Sequence, residues 1–231
     1  MSRRSLVTGA NRGLGLEFVR QLLARGERVL ATVREPARAD ALQALAAGYP
    51  EQLRIAALDV ADADALPAFA AGLPEEFATL ELLINNAGML VSGERFGSVR
   101  AQDLDATLRT NTVAPFLLTQ ALAPRLAAGA RVLNVSSWLG SMAGSTRFGT
   151  PSYCVSKAAL NMVTMQLGHA LRERDIAVFA FDPGWVRTDM GGERAPLTPA
   201  ESVQAMLATL ERLTLADSGG FFERTGERKP W

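Results

Sequence analysis

Short apolar runs alternate along the chain with longer stretches in which apolar residues recur at a helical period. A run of about four to eight apolar residues bounded by turn residues is typical of a strand buried on both faces, and the longer period is typical of a helix. Among others, helices are expected at 15–26 and 201–213. The buried strands are predicted at 5–9, 28–33, 53–58, 80–85, 131–136, 176–181 and 219–223.

This alternation predicts the fold class. Strands separated by helices form a mostly parallel sheet with helices on both faces, and right-handed crossovers bring all carboxyl ends of the strands to one edge, where ligands bind. The chain has no long linker and no internal repeat. We therefore expect one doubly wound, Rossmann-type α/β domain over 1–231, with a seven-stranded sheet.

Composition excludes several classes of function. Lysine plus arginine and aspartate plus glutamate both number 24, so no basic excess exists to bind nucleic acid. One histidine and one cysteine leave too few ligands for a zinc site and none for a disulfide, so we expect no metal. No apolar run is long enough to cross a membrane. The protein is expected to be cytoplasmic.

The first strand runs into a glycine-rich turn, TGANRGLG, at 8–15. Glycines permit a tight turn and close approach of the backbone to a ligand, and the amides at the start of the following helix bind phosphate. The spacing is G-x3-G-x-G, and an ordinary strand–helix turn is the alternative. We expect cofactor contacts from Gly9, Asn11, Arg12, Gly13, Leu14 and Gly15.

Two arginines favour NADP(H) over NAD(H). The second strand usually ends near an acidic residue when the ligand is NAD, because a carboxylate binds the ribose 2′-hydroxyl. Here Arg34 follows that strand, and Arg12 lies in the glycine turn. Guanidinium groups bind a 2′-phosphate by charge-assisted contacts. Glu35 beside Arg34 leaves open that these arginines are solvated surface charges.

The glycine turn, NNAG at 85–88, a serine after the fifth strand and the YCVSK sequence at 153–157 occur together in one family. On these motifs the chain resembles the short-chain dehydrogenase/reductases over essentially its whole length. The segments 182–192 and 216–222 resemble the group that contains sniffer-type carbonyl reductases and C-factor signalling proteins. The resemblance implies a catalytic tetrad of Asn111, Ser137, Tyr153 and Lys157.

The implied reaction is NADPH-dependent reduction of an aldehyde, ketone or quinone with Tyr153 as proton donor. Lys157 lies one helical turn beyond Tyr153 and is expected to lower the pKa of the phenol from about 10. Thr150 is expected to cap this helix, with Pro151 at its first position. In the family pattern Ser137 orients the carbonyl, and Asn111 holds a water that relays protons to Lys157.

Further cofactor contacts are implied by the same resemblance. Asp59 would accept a hydrogen bond from the adenine amino group, although it could simply cap a helix. Tyr153 and Lys157 would contact the nicotinamide ribose. The remaining implied contacts are Val60, Asn86, Ala87, Gly88, Pro183, Gly184, Val186 and Thr188.

Two loops, 138–149 and 189–199, are expected to border the substrate. The side chains Trp138, Met142, Phe148 and Trp185 suggest an apolar or aromatic carbonyl compound. Helices at 101–127 and 153–173 form interfaces across the family, which implies a homodimer or homotetramer. Two alternatives are a C-factor-like NAD(P)-binding signalling protein with little or no turnover and an NAD-linked alcohol dehydrogenase.

Overall fold

The computed structural model describes residues 2–231. Its seven strands are β1 (Arg4–Thr8), β2 (Arg28–Val33), β3 (Leu53–Ala57), β4 (Leu80–Asn85), β5 (Leu126–Val135), β6 (Ala177–Asp182) and β7 (Phe221–Glu223). Its helices are α1 (Gly13–Ala24), α2 (Asp40–Gly48), α3 (Ala65–Ala71), α4 (Ala101–Leu108), α5 (Ala114–Leu122), α6 (Pro151–Leu171) and α7 (Pro199–Arg212).

All seven strands belong to one parallel sheet with the order β3-β2-β1-β4-β5-β6-β7. The prediction of a seven-stranded Rossmann-type sheet is therefore confirmed. The largest difference is at β5, which begins at Leu126 rather than at 131, because the register with β4 shifts between Leu80 and Leu82 and accommodates the extra residues.

The core lies on both faces of this sheet. On one face, α1 and α7 pack through residues such as Phe18, Leu22 and Leu207 against the strands. On the other face, Leu118 of α5 and Leu167 of α6 pack against the strands in a second apolar cluster. The strands are covered on both sides, which is why they appear in the sequence as continuous apolar runs.

The order of the strands also identifies the edge of the sheet at which a ligand is expected to bind. β1 has β2 on one side and β4 on the other, so the chain reverses its direction of strand addition between them. Ligands of doubly wound sheets bind at the carboxyl ends of the strands at such a point. The glycine turn follows β1, the NNAG segment follows β4 and the two serines follow β5 at this same edge.

The contact between α6 and the segment before β7 yields a stability prediction. A Cβ on Gly168 would lie 2.8 Å from the Gly219 nitrogen, whereas a Cβ on Gly48 meets nothing within 4 Å. Gly168→Ala should lower the free energy of unfolding by about 1–3 kcal/mol, because overpacking displaces this segment. Gly48→Ala, the matched helical control, should raise it by up to about 1 kcal/mol. Urea unfolding measures both, and equal midpoints would contradict this packing.

Candidate active site

The glycine turn is packed against the segment that follows β4. Gly9 has a φ of +64°, and a Cβ there would lie 2.8 Å from the Cα of Ala87. A Cβ on Gly15 would lie 2.5 Å from Nδ2 of Asn86. That amide nitrogen donates to the Thr8 and Gly9 carbonyls, at 2.9 and 3.1 Å. Only glycine fits at these two positions, and Asn86 fixes the shape of the turn.

The start of α1 fits an anionic ligand. Arg12 occupies the N-cap position without a side-chain hydrogen bond to the helix, and the first turn contains no acidic residue. Helix N-termini leave backbone N–H groups unsatisfied and bind phosphate groups. The turn therefore has the shape and the donors that a dinucleotide pyrophosphate requires.

The two arginines predicted to bind a 2′-phosphate, one in this turn and one directly after β2, differ in their contacts. Arg12 forms an ion pair with Asp189, and both side chains are largely exposed. Arg34 is exposed directly after β2 and has no carboxylate partner within residues 2–231. Arg38, which the sequence analysis did not select, pairs with Glu35 at 3.1 Å. Arg34 is thus free to bind an anion, whereas the Arg12 guanidinium is already paired with Asp189 of the 189–199 loop.

Asn111 lies in a π-helical turn, Arg109–Val113, between α4 and α5. Its side chain is 1% exposed. Oδ1 accepts from the Met89 nitrogen at 2.8 Å, and Nδ2 donates to the Met89 carbonyl at 2.8 Å and to Ser156 Oγ at 3.0 Å. The amide group connects this π-helical turn to the segment after β4 and to α6.

Lys157 and Tyr153 lie one turn apart on α6 and are both buried. The Lys157 nitrogen donates to the Val135 carbonyl at 2.7 Å and lies 5.5 Å from the centroid of the Tyr153 ring. Burial lowers the pKa of Lys157 to about 7, because a charged amine loses its hydration there. The lysine is therefore close to equally charged and neutral at pH 7.

The pKa of Tyr153 is raised to about 12, mainly by burial, while a hydrogen bond with Ser137 opposes the shift. Asp182 and Cys154 add to the rise. The prediction that Lys157 lowers this pKa is therefore wrong for this structure. Loss of hydration of the phenolate outweighs a nearby amine whose own charge is weakened by burial.

The two serines after β5 have different environments. Ser136 is 1% exposed, and its hydroxyl donates to Asn161 Oδ1 at 2.6 Å inside the protein. Ser137 is half-buried, and its hydroxyl accepts from the Leu139 nitrogen at 3.2 Å. Its partial exposure leaves Ser137, rather than Ser136, open to a ligand at this edge of the sheet.

The first turn of α6 is not capped as the sequence suggested. Pro151 is at the first position, but Thr150 has a φ of 40° and its side chain makes no cap hydrogen bond, so this prediction is wrong. Instead, the Glu94 carboxylate accepts from the nitrogen of Ser152 at 3.2 Å and from its hydroxyl. Glu94 lies 58 residues away, so no local pattern could have revealed it.

The other predicted contacts are distributed along the same edge. Asp59 is exposed after β3 and accepts from the Ala61 nitrogen at 3.0 Å, while Val60 is buried. A Cβ on Gly13 would lie 3.3 Å from the Thr188 side chain, so the 189–199 loop begins beside the glycine turn. Further predicted contacts lie in the segments after β4 and β6: Ala87, Gly88, Pro183, Gly184 and Val186.

The predicted substrate wall is exposed at the surface. Met142, Phe148 and Trp185 are more than half exposed and Trp138 somewhat less. Phe96, in the segment between β4 and α4, packs edge-on against Phe148 with centroids 6.0 Å apart. Sequence reasoning missed Phe96, because it lies in a segment without periodicity. Within residues 2–231, no cluster of potential metal ligands is found and no helix has the length and apolarity to span a membrane.

The lowered pKa of Lys157 yields a prediction for the cofactor-free protein. Between pH of about 7 and 10.5 the unfolded chain binds more protons at this lysine than the folded protein does. The free energy of unfolding should therefore rise with pH, by up to about 1.4 kcal/mol per unit. Lys157→Met should remove this contribution between about pH 7.5 and 9.5, whereas Lys229→Met should keep it. Equal slopes for the wild type and Lys157→Met in urea unfolding would contradict the shift.

Comparison with known proteins places this geometry in a family. A sequence-family profile described as short chain dehydrogenase matches residues 3–197. The C-signal of Myxococcus xanthus is 39% identical over 154 residues, which cover 66% of this chain and 93% of that protein. The carbonyl reductase Sniffer of D. melanogaster has a TM-score of 0.93 and 34% identity, with both chains fully covered. An NADPH-bound carbonyl reductase from chicken fatty liver has a TM-score of 0.93 and 40% identity, covering 100% of this chain and 99% of that one. The chain belongs to the short-chain dehydrogenase family of oxidoreductases.

Proposed function

We propose that the protein is an NADPH-dependent reductase of small aldehydes, ketones or quinones, with Tyr153 as the proton donor. The observation that carries this proposal is a buried, protonated phenol in contact with Ser137 and one turn from Lys157. These groups lie at the sheet edge that also bears the glycine turn and the uncapped start of α1.

Each side chain has a distinct task. NADPH supplies the hydride to the carbonyl carbon when it is bound. Ser137 donates a hydrogen bond that holds the carbonyl oxygen, and the Tyr153 hydroxyl gives its proton to that oxygen. Because the pKa of Tyr153 is about 12, the phenol is fully protonated at pH 7 and ready to donate. Lys157, whose pKa is about 7, returns a proton to the phenolate.

Asn111 fixes the segment after β4 relative to the part of α6 that carries Lys157. A Cβ on Gly88 would lie 3.3 Å from Oδ1 of Asn111 and 3.7 Å from the Lys157 nitrogen, so the three groups are neighbours. Oδ1 already accepts from the Met89 nitrogen, and a carbonyl oxygen has a second lone pair. That second lone pair can accept a hydrogen bond from the water that relays protons to Lys157.

NADP(H) is favoured over NAD(H) by the arginines beside the glycine turn. Arg34 is exposed without a carboxylate partner among residues 2–231, and Arg12 can exchange Asp189 for a phosphate of equal sign. Two structural neighbours support this choice, since one is described as NADPH-bound and another as having bound NADP. The other side chains proposed to hold the cofactor are Asp59, Asn86, Val186 and Thr188.

The substrate is proposed to be apolar or aromatic. Four exposed apolar side chains lie in the loops at this edge: Phe96 packs against Phe148 just before α6, Trp138 directly follows Ser137, and Trp185 lies in the turn after β6. Exposed apolar side chains at a ligand edge support binding of an apolar compound. Helix α6 also exposes Val155 and Met162, which supports a homodimer or homotetramer through this face.

The similarity to the C-signal favours a second candidate, an NAD(P)-binding signalling protein with little turnover. We rank it lower because all four residues of the tetrad are present, and burial of the Tyr153–Lys157 pair away from water serves proton transfer rather than binding alone. Tight binding of NADPH without oxidation by any carbonyl compound would reverse this ranking.

Replacing the proton donor tests the reaction. Tyr153→Phe should lower turnover of quinones or aromatic aldehydes by about 100- to 10,000-fold, the usual contribution of a general acid. Because the ring remains, the dissociation constant of NADPH should change by less than about threefold. Tyr49→Phe, which alters the other tyrosine of the chain, should have wild-type activity. Full activity of Tyr153→Phe would remove the tetrad from the mechanism.

Charge removal at β2 tests the cofactor preference. Arg34→Ala should raise the dissociation constant of NADPH by about 10- to 100-fold, since a charge-assisted hydrogen bond contributes about 1.5–3 kcal/mol. Binding of NADH should change little. Arg28→Ala removes the same charge at the opposite end of the same strand and should leave both constants unchanged. Fluorescence titration measures them, and an equal loss for NADH and NADPH would contradict recognition of the 2′-phosphate.

A further inference from the structure

The segment 229–231 follows β7 in the chain, and no predicted site residue lies in it. It is nevertheless fixed to β7, which is the edge strand of the sheet. The Lys229 nitrogen donates to the Phe221 carbonyl at 2.8 Å. The Trp231 ring stacks on the Phe221 ring, with centroids 5.8 Å apart and an angle of 16° between the planes. Phe221 is fully buried, so the stacked ring rests on a rigid part of the core.

The same segment is bonded to the loop that follows β5. The Ser141 hydroxyl donates to the Pro230 carbonyl at 2.9 Å and accepts from the Gly144 nitrogen at 3.1 Å. The Ala143 nitrogen donates to the Trp231 carbonyl at 2.9 Å. Because Ser141 is only 2% exposed, its hydroxyl depends on these protein partners. Two hydrogen bonds thus join the segment to the loop, and the third closes the loop on itself.

The indole ring of Trp138 lies between this loop and the segment. A Cβ on Gly144 would overlap the ring, so the backbone of Gly144 packs directly against it. The Lys229 nitrogen lies 5.3 Å from the centroid of the same ring, which is a cation–π distance. Trp138 was predicted to form part of the substrate wall, and 39% of it is exposed. The rest of this side chain connects the loop to the segment.

The turn that follows Ser137 is held from two sides. Within the turn, the Gly140 nitrogen donates to the Ser137 carbonyl at 2.9 Å, and the Ser141 nitrogen donates to the Trp138 carbonyl at 2.9 Å. On one side the turn packs against α6, since a Cβ on Gly140 would lie 2.7 Å from the carbonyl carbon of Lys157. On the other side the segment contacts Trp138 and Ser141.

We propose that Trp231 and Ser141 are positioning residues, which hold the turn after Ser137 in place through the segment 229–231. The Ser137 hydroxyl then meets the carbonyl oxygen of the substrate in a fixed position. This inference rests on the proposed function, since it concerns the serine of the same site. Trp231 and Ser141 act through the turn and do not touch the reacting atoms.

Removal of the stacked ring tests the proposal by kinetics. Trp231→Ala should lower kcat/KM for quinones or aromatic aldehydes by about 10- to 100-fold, because a small displacement of a group that orients the substrate is costly. The dissociation constant of NADPH should change by less than about threefold, since the glycine turn shares no contact with this segment. Trp231→Phe keeps a ring that can stack on Phe221 and should stay within about threefold of the wild type. Wild-type kcat/KM in folded Trp231→Ala, or equal losses in both variants, would overturn the proposal.

Two buried hydroxyls provide a matched pair of variants. The Ser141 hydroxyl donates to the Pro230 carbonyl at 2.9 Å, and the Thr209 hydroxyl of α7 donates to the Arg224 carbonyl at 2.8 Å. Both hold the part of the chain that follows β7, but only Ser141 adjoins the turn after Ser137. Ser141→Ala should therefore lower kcat/KM at least about tenfold. Thr209→Val should stay within about threefold of the wild type. Equal losses would indicate general loosening and would contradict positioning.

Amide hydrogen exchange in the cofactor-free protein needs no turnover. The Gly140 amide, which donates to the Ser137 carbonyl, should exchange at least about tenfold faster in Trp231→Ala and in Ser141→Ala than in the wild type. Amides of β1, which open only with the whole fold, correct for any loss of global stability. Thr209→Val should leave the Gly140 amide unchanged.

The two measurements separate the inference from the reaction. A wild-type exchange rate of the Gly140 amide in folded Trp231→Ala and Ser141→Ala removes only the role of the segment 229–231. Activity retained by Tyr153→Phe removes the proposed reaction instead. Ser141→Ala keeps the stacked ring of Trp231, so it decides the question if Trp231→Ala does not fold.

Discussion

The hydrogen bond from the Lys157 nitrogen to the Val135 carbonyl is the interaction on which the site depends. A lysine amine that is buried must find a partner, and here the partner is the carbonyl of the last residue of β5. The bond therefore fixes the height of α6 against the sheet. Tyr153 is one turn away on the same helix, and Ser137 lies two residues beyond Val135. One contact therefore controls the distance between the two groups proposed to meet the carbonyl oxygen.

A buried polar network keeps this register. Nδ2 of Asn85 donates to Asn134 Oδ1 at 2.8 Å across β4 and β5, and Nδ2 of Asn134 donates to Thr164 of α6 at 2.9 Å. Nδ2 of Asn161, also on α6, donates to the Gly140 carbonyl at 3.2 Å in the loop after Ser137. Apolar packing would tolerate small shifts of the helix, but these directional bonds are lost when it slides. Polar groups are thus used in the core where position matters most.

Most of the fold could be predicted from the sequence because it depends on local signals, whereas the proposed tetrad was implied by the resemblance to a family. Buried strands are continuous apolar runs, and the YCVSK spacing alone places a phenol and an amine one turn apart. Contacts between distant segments were not predictable in this way. Glu94, for example, caps α6 from 58 residues away. The predicted lowering of the pKa of Tyr153 was wrong for the same reason. Helical spacing shows that the lysine is near, but it does not show how deeply the phenol is buried.

A raised pKa makes a phenol a weaker acid, but Tyr153 can still serve as the proton donor in the proposed carbonyl reduction. In the proposed reaction the carbonyl carbon receives the hydride and its oxygen becomes an alkoxide. An alkoxide is a much stronger base than a phenolate, so proton transfer from Tyr153 is downhill even with a pKa of about 12. At neutral pH the phenol stays fully protonated until transfer, as a phenol with an ordinary pKa near 10 also would. The phenolate formed by the proposed transfer is destabilised by burial and takes a proton readily. Lys157, with a pKa of about 7, is the nearby group able to supply one under the same conditions. In the proposed reaction, Tyr153 therefore stays protonated until it gives its proton to the substrate, and Lys157 returns a proton to it afterwards.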